Sequence, residues 1–281
     1  MKGIVLFAYG KKGYTLMAHN IAVSIKQHSP NIHITLFLEP DMYLQDASVF
    51  DSIVYLDRSI IYTEGVGIDP VKCKVNTYDY LPYEHNLYLD VDGLVLQDLN
   101  PLFDKLIEGK DVFVTDIIAK GKRHESIEYS IWAGNDVIWP YFDLKDDALL
   151  PSTQTSWMYI RKDAKAKQIF DTAKKYIDFP KNRLRKKWGG TVPDEVIFSG
   201  VLAKLEAIPA YNPRPIFFGT KNDERPLYQL SKEYFVLSLY GNGRGRTMVM
   251  PKYIKWYNDL IKGYEKSYKS EMFMGDKHAN G

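Results

Sequence analysis

The sequence predicts an α/β fold with a mostly parallel sheet, and three observations carry that prediction. Short apolar runs at Ile4–Ala8, Ile32–Leu38 and Ser52–Leu56 are joined, between the first two, by a segment of helical periodicity. That is the order of βαβ winding. A further apolar run, residues 86–96, reads Asn-Leu-Tyr-Leu-Asp-Val-Asp-Gly-Leu-Val-Leu and is interrupted by two carboxylates, Asp90 and Asp92. Finally, 281 residues with 45% hydrophobic and 26% charged content describe a globular chain with enough apolar side chains for a full core.

The elements run in order from the first strand. Ile4–Ala8 is a short buried strand, and residues 9–14 form a loop. From Tyr14 to His28, Met17, Ala18, Ile21, Ala22 and Ile25 recur at helical spacing and predict a helix that covers a sheet. Two strands come next, Ile32–Leu38 and Ser52–Leu56. A helix is predicted over Val71–Tyr80, which places Lys72 and Lys74 near the carboxyl edge of the sheet. Ligands of open α/β sheets bind at that edge, which the loop after the first strand and Asp90-Val91-Asp92 share.

Along a strand, residues two apart point to the same side. Asp90 and Asp92 therefore face one way, Leu89 and Val91 face the core, and Gly93 is a place where the chain can turn. Asn100-Pro101 predicts an N-cap and first helical position for a helix through Ile107. Asp111–Asp116 is a strand, residues 117–151 a long loop region, and Thr155–Arg161 a strand. A helix capped by Asp163 runs to Ile177, residues 181–187 form a basic loop, and Pro193-Asp194-Glu195 opens a helix to Leu205 with acids in its first turn. Tyr234–Tyr240 is a late strand and residues 241–246 a basic, glycine-rich loop. Pro251 starts a last helix with Ile254, Tyr257, Ile261, Tyr264 and Tyr268 along one flank. The expected division is one domain over residues 1–250 and a basic aromatic helix and tail over 251–281.

Composition excludes several classes. Cys73 is the one cysteine, so neither an internal disulfide nor a thiolate zinc site is possible. No run approaches the uncharged length of a membrane span, and the opening lacks a signal-peptide pattern, so an intracellular, cytoplasmic chain is expected. Charge is uneven: residues 1–180 carry 19 Lys/Arg against 25 Asp/Glu, and residues 181–281 carry 18 against 10. The basic later half suits a polyanionic partner or a membrane surface, and equally an ordinary solvated face.

The chemistry gathers at Asp90 and Asp92. An apolar strand that ends in two converging carboxylates suits a hard cation bound through oxygen. The six histidines form no i, i+4 pair and read as structural. The stretch Leu87-Tyr88-Leu89-Asp90-Val91-Asp92, with the apolar trio Leu94-Val95-Leu96, Asp98-Leu99 and Leu102-Phe103 after it, resembles the metal-binding segment of glycosyltransferase family 8, which includes glycogenin and bacterial lipopolysaccharide sugar transferases. The specific match covers residues 87–103, and a weak one runs from residue 1 to about 240.

The resemblance implies a GT-A nucleotide-sugar-binding fold and transfer of a sugar, with retention, from a nucleoside-diphosphate sugar, UDP-sugars being the expected donors. It implies Mn²⁺ or Mg²⁺ held by Asp90 and Asp92, neutralising charge on the leaving diphosphate. Asp90, across Val91 from Asp92, would also reach the ribose or sugar. Ala8, Tyr9 and Tyr14 correspond to the loop that cradles base and ribose. Lys74 falls where the family carries an arginine that reaches the donor; a surface cation is the other reading. Gln154 replaces the family's Asn, and Asp194-Glu195 its Asp-Gln, so Glu195 becomes a candidate nucleophile or electrostatic partner of an oxocarbenium ion. The family's third metal ligand, a late His, has no counterpart in residues 238–246. Asn242, a backbone carbonyl or water is expected instead, with Arg244 and Arg246 on the diphosphate.

For the acceptor, Lys252, Lys255, Lys262, Lys266 and Lys269 interleave with Tyr253, Trp256, Tyr257, Tyr264 and Tyr268. Such a pattern suits a membrane-surface glycan, with the protein peripheral at the membrane, or a nucleic acid with a modified base, or simple packing of the helix. Two other readings stand beside the transferase: a nucleotide-sugar-binding protein without turnover, and a nucleic-acid or membrane-surface binder whose acidic pair is structural.

Overall fold

The computed structural model describes residues 1–44, 46–125, 132–185, 192–218 and 225–238. The first half of the chain carries β1 (Lys2–Ala8), α1 (Gly13–His28), β2 (His33–Leu38), β3 (Ser52–Tyr55), the small hairpin β4 (Tyr62–Thr63) and β5 (Gly67–Ile68), α2 (Pro70–Asn76), β6 (His85–Leu89), β7 (Gly93–Val95) and α3 (Asn100–Glu108). The second carries β8 (Phe113–Gly121), α4 (Asn135–Phe142), β9 (Leu150–Arg161), α5 (Ala164–Lys175), α6 (Asp194–Lys204), β10 (Ile216–Phe218), α7 (Leu227–Glu233) and β11 (Val236–Ser238). The fold is α/β, with a mostly parallel central sheet flanked by helices. Two compact units interleave along the chain. Of the described residues, one holds those within 2–56, 89–105 and 214–238, the other residue 1 and those within 57–88 and 106–213.

In the first unit β1, β2 and β3 pair in parallel, with Ala8 in register with Leu38 and Leu38 with Tyr55. The apolar runs of β1 and β2 are buried, and Phe7 stacks on Phe37 at 4.7 Å between centroids. Parallel strands need a crossover, and α1 supplies it with Met17, Ala18, Ile21, Ala22 and Ile25 buried, as their spacing predicts. A second sheet of three strands, ordered β10-β11-β7, joins β10 to β11 in parallel and β11 to β7 antiparallel.

In the second unit the strands run in the order β6-β9-β8. Asn86 is fully buried and donates from Nδ2 to Tyr83 O at 2.8 Å and Ile160 O at 3.3 Å, which fastens β6 beside β9. Phe113, Phe170 and Phe198 form one aromatic cluster that packs α5 and α6 against β8. Asp163 caps α5 as expected, its Oδ1 accepting the Ala166 N–H at 2.9 Å.

Three expectations change. The helix predicted over 71–80 is α through Asn76 and tightens to a 3₁₀ turn at Thr77–Tyr80. Asn100 lies inside α3, and Asp98 serves its start by accepting from the Asn100 N–H at 3.0 Å and Nδ2 at 2.8 Å. Residues 117–151 contain the end of β8, the start of β9 and α4. That helix is eight residues long and has Pro140 within it, too short and too interrupted for a clear period.

Candidate active site

The acidic turn lies in the first unit. β6 ends at Leu89 and β7 begins at Gly93, so Asp90-Val91-Asp92 is the connection between two strands. Val91 is buried, and Asp90 and Asp92 are partly exposed, as the two-residue alternation predicts. Helix α1 anchors the chain beyond the turn. The Val95 N–H donates to Ser24 Oγ and the Leu99 N–H to Ser29 Oγ, both at 2.9 Å. Ser29 Oγ in turn donates to Asp98 Oδ1 at 2.8 Å. Burial pushes the Asp98 carboxyl up, but the Asn100 amide and the Ser29 hydroxyl outweigh it and hold the group below its ordinary value.

Gly93 does not act as the predicted turn. It is the first residue of β7, lies outside the set of glycines with positive φ, and pairs in register with Ser238 of β11. A Cβ there would lie 3.2 Å from Val236 Cγ1 and 3.3 Å from Leu237 O. The bare Cα is what allows β11 to lie flush against the strand that leaves the acidic pair. Leu96 N–H to Phe235 O at 2.8 Å and Gln97 Nε2 to Tyr234 O at 3.0 Å extend that attachment.

The loop after β1, with Ala8, Tyr9 and Tyr14, belongs to the same unit. Ala8 is buried at the strand end, Gly10 takes φ 86°, and the Tyr14 N–H donates to Lys11 O at 2.9 Å to start α1.

The second unit brings Lys74, Thr155 and Asp194 together. Lys74 Nζ lies 2.9 Å from Asp194 Oδ2 and 3.1 Å from Thr155 O, and 5.5 Å from the centroid of the Tyr88 ring. The Thr155 hydroxyl donates to Asp194 Oδ2. Lys74 and Asp194 are 9% and 8% exposed, which removes the surface-cation reading of Lys74. Thr155 is legible in the sequence only as the start of a strand; its role as the third member of this group has no signal there. Glu195 is held by its backbone: its carbonyl accepts from Thr153 Oγ1 at 2.9 Å, and Ser199 Oγ receives the Thr153 N–H at 3.1 Å. Thr153 and Thr155, two apart on β9, thus fasten the first turn of α6, on which Asp194 and Glu195 ride.

Gln154 pairs with Asp116, and its carbonyl lies 2.8 Å from Thr115 Oγ1. Between Gln154 and Tyr159 the ladder shifts register, so residues 155–158 stand opposite Thr115 alone. This bulge re-aims the strand directly after Gln154.

Asp90 and Asp92 supply hard oxygen donors at a partly exposed turn, a donor set that fits Mn²⁺ or Mg²⁺. Among the described residues no group of three His, Cys, Asp or Glu converges. Asn242, Arg244, Arg246 and the helix expected after Pro251 lie outside the described residues. His85 Nδ1 lies 2.8 Å from the Tyr159 hydroxyl, and burial pushes that phenol up to about 12.

No protein-family model and no curated protein matches the chain. Solved structures do. The chain superposes on the galactosyltransferase LgtC in complex with donor and acceptor sugar analogs with a TM-score of 0.57 at 15% identity, over 92% of this chain and 95% of that one. The fold is GT-A. A second LgtC structure, of an active-site variant with glutamate in place of glutamine, gives 0.54 at 15% identity over 86% and 88% of the two chains. The bifunctional glycosyltransferase WbbM gives 0.60 at 12% identity, over 96% of this chain and 51% of that one. These likenesses establish a GT-A scaffold; the chemistry on it rests on the residues above. No helix among the described residues is long and apolar enough to cross a membrane.

Proposed function

We propose that the chain is a metal-dependent glycosyltransferase that moves a sugar from a nucleoside-diphosphate sugar, a UDP-sugar in the first instance, to an acceptor with retention of configuration. The observation that carries this reading is the Asp90-Val91-Asp92 turn, directly after a strand and held by α1 and β11, in a chain of GT-A fold. A bound Mn²⁺ or Mg²⁺ supplies Lewis-acid neutralisation of the leaving diphosphate. Asp90 and Asp92 hold and orient the metal–diphosphate, Ala8, Tyr9 and Tyr14 receive base and ribose, and Arg244 and Arg246 engage the diphosphate.

In this reading Lys74, Asp194 and Thr155 form one preorganised group for the donor sugar. Lys74 Nζ lies against the Asp194 carboxylate, and the Thr155 hydroxyl fixes the carboxylate rotamer. Glu195, one residue on, is the candidate nucleophile or electrostatic partner of the oxocarbenium ion, supported by its place in the Asp-Glu pair at the start of α6. Gln154 is assigned to the donor sugar through the motif. The acceptor is read from the basic later half as an anionic one, a membrane-surface glycan or nucleic acid, which makes the protein peripheral and cytoplasmic-facing.

The test is a thermal-shift series with UDP-sugars, with and without Mn²⁺, on the wild type and Asp92→Asn. Mass action stabilises a protein that binds ligand only when folded. Metal-dependent stabilisation that Asp92→Asn removes supports the reading, and no shift with any nucleotide sugar sinks it. A second reading, binding without turnover, is favoured by the two-carboxylate donor set. Mn²⁺-dependent hydrolysis of the bound sugar nucleotide excludes it.

A further inference from the structure

The end of β2 carries a buried carboxylate that none of the assignments above uses. Glu39 follows β2 directly and is 5% exposed. Its backbone N–H donates to Ala8 O at 3.0 Å, and its Oε2 accepts the Gly10 N–H at 2.7 Å. The side chain is thereby pinned at the carboxyl ends of β1 and β2, against the loop that Ala8, Tyr9 and Tyr14 define. Gly10, with φ 86°, takes a conformation that glycine adopts without strain, and the amide it presents there is the one that meets Glu39.

Closing a loop does not call for a charge. A buried carboxylate costs more to desolvate than an amide of the same length, and an amide oxygen can also accept the Gly10 N–H. A carboxylate offers about four lone-pair positions, so a ligand donor can join the protein donors that it already accepts. In dinucleotide-binding βαβ units an acid at the end of the second strand takes a ribose hydroxyl. The unit β1-α1-β2 has that order and that parallel register, and Glu39 occupies that place.

We propose that Glu39 accepts a hydrogen bond from the nucleoside half of the donor, from a ribose hydroxyl or the base N–H, and so sets nucleotide specificity. This assignment rests on the nucleotide-sugar reading. Calorimetric titration of uridine diphosphate, its 2′-deoxy analogue and its N3-methyl analogue, each with Mn²⁺, tests it on the wild type and Glu39→Gln. The wild type prefers uridine diphosphate over one of the two analogues by about tenfold, and Glu39→Gln brings that ratio close to one. Glu39→Asp, which keeps the charge but withdraws it by one methylene, is the second variant and lowers the ratio in the same direction.

Equal losses for all three nucleotides with an unchanged ratio overturn the assignment, because that is the signature of a residue that only shapes the loop. Equal affinities of the wild type for all three overturn it as well. If the wild type binds none of them, the donor reading itself fails and takes this one with it; wild-type binding with a ratio insensitive to position 39 leaves the donor reading standing and removes Glu39 alone.

Discussion

Gly93 and Val236 meet closely: a Cβ on Gly93 would stand 3.2 Å from Val236 Cγ1, so the methyl would have to give by a few tenths of an ångström. Overpacking of this kind costs about 1–3 kcal/mol. Gly93→Ala therefore lowers the urea midpoint, and Val236→Ala, which removes the opposing methyl, recovers part of the loss in the double variant. A single variant as stable as the wild type would show that β11 yields freely.

The buried pair Lys74–Asp194 makes a second prediction. Removing one partner leaves an uncompensated charge, a change that costs about 3–5 kcal/mol, whereas replacing both with apolar residues costs much less. Asp194→Leu and Lys74→Met are each expected to be more destabilising alone than the two combined. Chemical denaturation of the variants in one cycle reads the coupling. Additive effects would mean that the 2.9 Å contact carries no coupling energy.

Acid should destabilise the fold in two stages. Burial lowers the pKa of His28, with Asp98 opposing, and burial likewise lowers that of His85, with Glu84 opposing. A histidine depressed in the folded state contributes fully above its unfolded value of 6.5 and loses that contribution as pH falls through the folded value. Asp98 and Asp163 feel burial upward but are held below 3.8 by hydrogen bonds, from the Asn100 amide and Ser29 hydroxyl in one case and the Ala166 amide and Arg161 in the other. Their contributions persist to lower pH and vanish as it falls through those depressed values. Urea midpoints should be level above 6.5, fall below it, and fall again below 3.8; a curve rising toward acid would contradict the sign.

Gly200 presses on the Phe142 ring so closely that a Cβ would come within 2.4 Å of it. Gly200→Ala is expected to destabilise the unit by about 1–3 kcal/mol, and Gly200→Ala with Phe142→Leu to recover some of it. Differential scanning calorimetry would show the order.

Much of the fold is legible in the chain. The runs of β1 and β2 and the period of α1 announce the βαβ unit, because burial on one face imposes its spacing on the residues. Asp163 announces its own helix. The acidic pair stands out because charge inside an apolar run needs a reason. Other features leave no local trace. The place of α4 depends on Gly200 making room for Phe142, some sixty residues away, and no spacing rule reports such a contact. Gly93 escapes for the same reason: a turn is the commonest use of a glycine, and its use here is visible only with β11 beside it. Lys74 looks like a surface cation until Asp194 and Thr155 arrive from a distant helix and strand.

The attachment of β7 to β11 also orders events in time. Gln97 bonds Tyr234 at a sequence separation of 137, and Gly93 and Ser238 pair four positions further along. Contacts of such separation form late, because a long loop must close before they contribute. The β1-α1-β2 segment is local and waits on no distant sequence. A chain emerging from synthesis thus has β1, α1 and β2 long before the partner of β7 exists, and the acidic turn acquires its fixed frame only when nearly the whole described chain is in place.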